Sequence, residues 1–247
     1  MIYTDQLGNK VAIHRRPSRI VSVVPSITEL LFDLGLGDKV VGCTKFCVHP
    51  NKPYLLKNMI GGTKDLNLDK ILQLNPDLIL ANKEENIKEQ IEYLNTSAPV
   101  WISDVKTFDD SLKMIAQIGS ITASSFQAKE IIDQLNLILK PKAPTKTVVY
   151  LIWKDPYMTV GGDTYINDIL NRCGYINVFA DQNRYPIVSL QEIEAIDPDV
   201  VLLSSEPYPF KEEHLQTIQR TLKNTKIELV DGEFFSWYGS RKLHIAL

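Results

Sequence analysis

The sequence predicts an α/β protein: two similar lobes with mainly parallel sheets, joined by one long helix. Three observations carry this. Strand, helix and strand follow one another with short turns, which implies parallel pairing. A helix–Pro–Asp–strand segment occurs twice: Asn67–Ala81 (NLDKILQLNPDLILA) is echoed 122 positions later by Ser189–Leu203 (SLQEIEAIDPDVVLL). Leu68/Leu190, Ile71/Ile193, Pro76/Pro198, Asp77/Asp199 and Leu80/Leu202 are identical between them. Between the copies lies Thr122–Lys140, free of Gly and Pro, with Ala128, Ile131, Ile132, Leu135, Ile138 and Leu139 on one helical face. Its expected length is roughly 28 Å. The expected organisation is a first lobe over 1–121, a connecting helix over 122–140 and a second lobe over 141–247, with one crossing between lobes.

In chain order, Ile2–Tyr3 and Val11–Ile13 around DQLGN predict a short hairpin. Arg19–Val24 reads as a strand ended by Pro25. Ser26 and Glu29 have capping-box spacing, and Leu30, Leu31 and Leu34 follow on one face. Gly35 and Gly37 close that helix, and Lys39–Gly42 is the next strand. A second helix runs from Thr107–Asp110 through Ile118. Pro141 and Pro144 stop the long helix, and Thr147–Trp153 opens the second lobe with a strand. A weaker echo aligns SITELLFDLGL with YINDILNRCGY and Gly35 with Gly174. The final LHIAL reads as the start of a helix.

Composition narrows the function classes. The chain has 247 residues, 44% hydrophobic and 23% charged, as in an ordinary globular protein. Its formal charge of −3, without a basic stripe, argues against nucleic acid as a partner. The longest apolar runs, such as Leu78–Ala81, are far too short to cross a bilayer. MIYTDQLGNK carries no basic-then-apolar signal, so the chain reads as cytoplasmic, or as a mature extracytoplasmic form written without its export signal. Cys43, Cys47 and Cys173 are odd in number and contain no CxxC, so reduced thiols are expected.

Ligands of open α/β sheets bind beyond the carboxyl ends of the strands. The loops expected there are rich in aromatics: Phe46, Trp153, Tyr157, Tyr185, Tyr208, Phe234, Phe235, Trp237 and Tyr238. That pattern suits a large, flat or partly apolar ligand held by stacking, with some of the rings serving as packing under the loops. Gly61–Gly62–Thr63–Lys64 lacks phosphate-loop spacing. Gly161–Gly162–Asp163–Thr164 either presents amides to an anion or carboxamide, or is a plain Asp or Thr helix cap. Cys43, Cys47 and His49 invite a zinc reading without an evident fourth ligand. A single contact from Cys47 or His49 to the ligand is the alternative. Glu206, Asp231 and Glu233 could converge, yet no GxSxG, HExxH or paired nucleophile and base is present, and no catalytic residue is assigned.

RIVSVVPSITELLFDLGLGDKVVG, with the two repeat segments, resembles the iron-chelate and cobalamin substrate-binding proteins of ABC importers, nearest the cobalamin branch. The resemblance covers nearly the whole chain. It implies two Rossmann-like lobes on one backbone helix, a ligand in the cleft between them, little domain movement, no tightly bound cofactor and an ABC permease as partner. The cargo it implies is a metal chelate, a corrinoid or a ferric siderophore. The family's acidic docking residue falls on Asp69, and its second-lobe position on Gln191 with Glu192 beside it. Aromatic cleft positions carry over at Phe46, Trp153 and Tyr185, while Thr63 and Asn82 stand where the cobalamin branch has tryptophan. The ligand-binding set is then Phe46, Cys47, His49, Thr63, Lys64, Trp153, Tyr157, Asp163, Tyr185, Glu206, Tyr208, Phe235, Trp237 and Arg241, with Lys64 and Arg241 meeting carboxylates or carboxamides. A monomer is expected. The competing readings are a cytoplasmic enzyme or metal-handling protein on the same fold, or a direct zinc binder.

Overall fold

The computed structural model describes residues 1–50 and 58–245. The end of the LHIAL segment lies outside the described residues; Arg241–Leu243, which runs into its first residue, forms a single 3-10 turn. The protein is mixed α/β and forms two compact units, each built on a four-stranded, all-parallel sheet.

Unit 1 comprises Met1–Val105, Asp109–Leu135 and Tyr238–Leu247. The expected hairpin is present: β1 (Ile2–Thr4) pairs antiparallel with β2 (Lys10–Ala12). Its turn closes on the Asp5 carboxylate, which accepts from the Leu7 and Asn9 amides at 3.0 and 2.7 Å. The sheet contains β3 (Ile20–Ser22), β4 (Val40–Cys43), β5 (Leu78–Asn82) and β6 (Val100–Ser103), in the order β4-β3-β5-β6. Helix α1 (Pro25–Asp33) follows β3, α2 (Leu68–Gln73) precedes β5, and α3 (Lys88–Asn95) links β5 to β6. Val21, Val23, Ile27, Leu30, Leu31 and Leu78–Ala81 are fully buried, so both faces of the sheet are covered, as an all-parallel sheet requires.

The capping box expected at Ser26 and Glu29 is corrected. Pro25 already occupies the first helical turn, Val24 is the N-cap, and no side chain caps the helix. Glu29 instead pairs across 212 positions with Arg241. The closure at Gly35 is as expected: its φ is 74°, and the Leu36 amide donates back to Leu31 at 2.8 Å in a Schellman-type end.

The helix expected from Thr107 through Ile118 is α4 (Phe108–Thr122), which runs one turn further, and the helix expected over 122–140 is the shorter α5 (Ser125–Ile138). Ala123 takes φ 56°, which interrupts the hydrogen-bond ladder, and the Thr122 and Ser124 hydroxyls satisfy each other at 2.7 Å. The two helices approach closely, since a Cβ on Gly119 would stand 2.5 Å from the Ala128 Cβ. Periodicity identified the buried face of α5 (Ala128, Ile131, Leu135), but the span is about 21 Å rather than 28 Å.

Unit 2 comprises Lys106–Phe108 and Asn136–Trp237. The chain thus contributes Lys106–Phe108 to unit 2, passes into it again within α5 and leaves it after Trp237. Its strands are β7 (Lys146–Leu151), β8 (Tyr175–Asn177), β9 (Val200–Ser204) and β10 (Lys226–Val230), in the order β8-β7-β9-β10. That order matches the sheet of unit 1 strand for strand. Helices α6 (Tyr165–Arg172), α7 (Leu190–Ile196) and α8 (Glu212–Gln219) connect these strands, and α9 (Gly232–Ser236) follows β10. Val149, Leu151, Val201, Leu203, Ile193 and Ile218 form the core.

The repeat is structural. The strand register is kept: Ile20 pairs with Leu78 in unit 1, and Val148 pairs with Val200 in unit 2. Asn67 caps α2 through the Lys70 amide at 2.9 Å, and Ser189, its counterpart, caps α7 through the Glu192 amide at 3.1 Å. Gly174 (φ 89°) closes α6 as Gly35 closes α1.

Candidate functional site

In each sheet the chain runs outward to one edge, then jumps to the other side of its first strand. The reversal falls between β3 and β5 in unit 1 and between β7 and β9 in unit 2. Ligands of open parallel sheets bind at the carboxyl ends of such strand pairs.

At the reversal in unit 2 stands an aromatic group. Trp153, two residues beyond β7, is 40% exposed and meets Tyr208 edge-on at 5.7 Å between ring centroids. Tyr208 is held from behind: it packs on Phe210 at 4.8 Å, and its hydroxyl is 3.0 Å from His214 Nε2. Its amide donates to the Ile152 carbonyl, tying the β9 loop to the β7 loop. Tyr157 is half-buried against the same core. Tyr185 is half-buried, with the Arg184 guanidinium 5.4 Å over its ring. Trp153 therefore presents a ring on a fixed base.

Beside this group, Glu206 is half-buried and accepts from the Ser236 hydroxyl at 2.5 Å and from Trp237. Burial pushes its carboxyl above the usual range against those hydrogen bonds, and the Glu233 and Asp231 charges push the same way. The loop fits tightly, because a Cβ on Gly232 would collide with Ser204 Oγ and lie 2.6 Å from Glu206 Cγ. The acidic cluster expected from Glu206, Asp231 and Glu233 thus exists, as electrostatics rather than as a nucleophile–base pair.

In unit 1, Phe46 is 50% exposed on the loop after β4, and its ring edge lies 3.2 Å from where a Gly62 Cβ would be. Lys45 Nζ sits 5.3 Å from the same ring. Thr63 and His49 are half-buried, and Lys64 is exposed, donating to the Glu84 carbonyl. Asn82 is not a cleft surface residue: it is 2% exposed, its Oδ1 accepts from the Glu84 and Glu85 amides, and its Nδ2 donates to Ser103. Asn86 was missed from sequence. Its side chain accepts from the Asn82 amide and donates to the Val23 and Thr63 carbonyls, both at 3.1 Å, so it ties three strand-end loops together. An Asn four residues after another Asn at a strand end was the available signal.

Three expected contacts have structural duties. Phe235 is 6% exposed, packed 5.1 Å from Tyr150, and is a core side chain. The Arg241 side chain is 12% exposed and donates to buried Glu29 at 2.8 Å. Asp163 accepts from the Arg184 amide at 2.6 Å. The amides of Gly161 and Gly162 donate to Arg184 and Gln182, so they are not offered to an anion; Thr164 caps α6, the plain alternative. Among the described residues, no three His, Cys, Asp or Glu side chains come together to hold a metal ion, which corrects the zinc reading of Cys43, Cys47 and His49. No helix among the described residues is long and apolar enough to cross a membrane. A concavity of about 310 Å³ lined by Glu194, Asp197, Leu222, Lys223, Asn224 and Thr225 lies at the amino ends of β9 and β10, away from the aromatic group.

Asp69, Gln191 and Glu192, expected to face a permease, are exposed. Asp69 and Gln191 occupy the same second position of α2 and α7. Glu192 Oε2 is engaged by the Ser189 amide and hydroxyl in a capping box.

Residues 20–227 match the periplasmic binding protein family. An uncharacterized ABC transporter substrate-binding lipoprotein of Bacillus subtilis is 30% identical over 212 residues, covering 80% of this chain and 67% of that protein. A vitamin B12-binding protein of Pectobacterium carotovorum is 26% identical over 242 residues, 94% of this chain and 87% of that one. Among solved structures, a possible iron-binding (periplasmic solute-binding) protein from Staphylococcus epidermidis superposes with a TM-score of 0.76 at 26% identity, covering 92% of this chain and 95% of that one.

Proposed function

This chain belongs to the periplasmic binding protein family, whose members bind substrates for transport rather than convert them, and on that premise we propose that it captures a metal chelate outside the cytoplasm and delivers it to an ABC permease. The observation that carries the reading is Trp153 on its Tyr208 base at the chain reversal of unit 2. A half-exposed indole held edge-on by a second ring suits stacking on a flat, partly apolar face and fits a corrinoid or a planar chelate better than a small ion. Within unit 2, Tyr157, Tyr185 and Trp237 supply further aromatic contacts. Phe46 is the exposed ring on the loop after β4 of unit 1. Asp69 and Gln191 meet the permease.

Absorbance-monitored equilibrium dialysis against cobalamin, hemin and a ferric hydroxamate tests this reading. Saturable one-to-one retention of one of them is expected. Retention of none at micromolar protein would end it.

A further inference from the structure

We propose that Cys43 and Cys47 form a redox pair, in which Cys47 attacks a small-molecule disulfide and Cys43 then closes an intramolecular disulfide across the end of β4. Cys43 is the last residue of β4 and is 2% exposed, whereas Cys47, four residues on, is half-buried and the more accessible of the two. The two thiols are hydrogen-bonded to each other. The turn that brings them together is closed by the Cys47 amide, which donates to the Thr44 carbonyl at 3.1 Å.

The surroundings of Cys47 suit an anion. Its Sγ lies 3.1 Å from Thr28 Oγ1 and 3.3 Å from Thr44 Oγ1. The Thr28 hydroxyl is also 3.0 Å from the Val24 carbonyl, and with one proton it can serve only one of them. A thiolate at Cys47 draws that proton, as it draws the Cys43 S–H. The hydrogen bond from Cys43, then those from Thr28 and Thr44, outweigh burial and bring Cys47 down to about 7, while Cys43, the donor, is pushed up. One sulfur is therefore an attacking thiolate and its neighbour a retained thiol.

The chemistry balances. The Cys47 thiolate bonds to one sulfur of a disulfide RSSR, the S–S bond breaks, and RS⁻ departs. With Cys47 capped, Cys43 no longer donates to an anion, and the largest cause that raises it is gone, leaving burial. It gives up its proton as it attacks the Cys47 sulfur, and the second RS⁻ leaves and takes up a proton. Two protein thiols are oxidised and RSSR is reduced to two RSH. The product clamps the Thr44–Cys47 turn that carries Phe46, so chelate affinity should differ between the two states. That consequence alone rests on the proposed function.

The test treats the native full chain with glutathione disulfide, quenches with acid and alkylator, and maps the products by mass spectrometry, with no chelate present. Wild type should lose two hydrogens and yield a Cys43–Cys47 cross-link, and Cys43→Ser should stop at a glutathione adduct on Cys47. Cys47 should react about ten times faster than Cys173, with the rate half-maximal near neutrality. A stable Cys47 adduct in wild type, or reaction no faster than at Cys173, would overturn the proposal. So would a rate that keeps rising to the ordinary thiol range of about 8.5, a readout that needs no variant to fold.

Discussion

The Asp199 carboxylate accepts 2.7 Å hydrogen bonds from both the main-chain amide and the hydroxyl of Thr147, anchoring the start of β7 to the start of β9. Its repeat partner Asp77 does the same in unit 1, accepting from the Ser18 and Arg19 amides at 2.9 and 2.8 Å and from the Ser18 hydroxyl. The shared Pro–Asp dipeptide thus pins the first strand of each sheet to its third.

Asp77→Ala leaves two amides without their acceptor and should cost about 2 kcal/mol in urea unfolding. Burial raises the Asp77 carboxyl, but the Arg19 and Ser18 hydrogen bonds and the Arg15 charge outweigh it, and the net effect holds it below the ordinary range. A depressed folded value contributes stability above the unfolded value and loses it as pH falls through the folded one. The gap between wild type and Asp77→Asn should therefore be full near neutrality and shrink in acid.

Glu206 works in the opposite direction. Burial raises its folded value, so its contribution is present below the ordinary Glu range and lost as pH rises through the raised value. Glu206→Gln keeps an acceptor for Ser236 and carries no charge. It should melt higher than wild type above neutrality and converge with it in mild acid. A constant difference across pH would show that Glu206 does not titrate in this way.

Glu29 and Arg241 form a buried pair, at 5% and 12% side-chain exposure. Removing one partner strands the other, and Arg241→Ala should destabilise by about 3–5 kcal/mol. Glu29→Leu with Arg241→Met should recover most of that loss. Chemical denaturation of the three variants checks this. A stability loss in Arg241→Ala that the double variant does not recover would assign the cost to something other than the pair.

The repeat was legible because its residues act locally: Asp77 and Asp199 bond to strands beside their own, and the Leu and Ile positions follow one helical face. The aromatic loops were legible as a group, because strand-end loops can be located from the strands. Which rings face outward was not, since Phe235 and Trp153 carry the same sequence signal and only packing on Tyr150 separates them. The segment from Tyr238 returns to unit 1 through contacts such as Glu29–Arg241, far apart in the chain, and no periodicity records them. The break between α4 and α5 was legible to within a few residues, but not its place at Ala123, because alanine is a strong helix former and nothing in its side chain signals a φ of 56°.

The central claim is that Trp153 stacks on a metal chelate. It is tested most directly by tryptophan-quenching titration of wild type and Trp153→Ala with the chelate that dialysis retains, after confirming that both proteins melt alike. Trp153→Ala should weaken binding about thirtyfold, the loss of about 2 kcal/mol expected for a central aromatic anchor. Equal affinities in the two proteins would contradict the account.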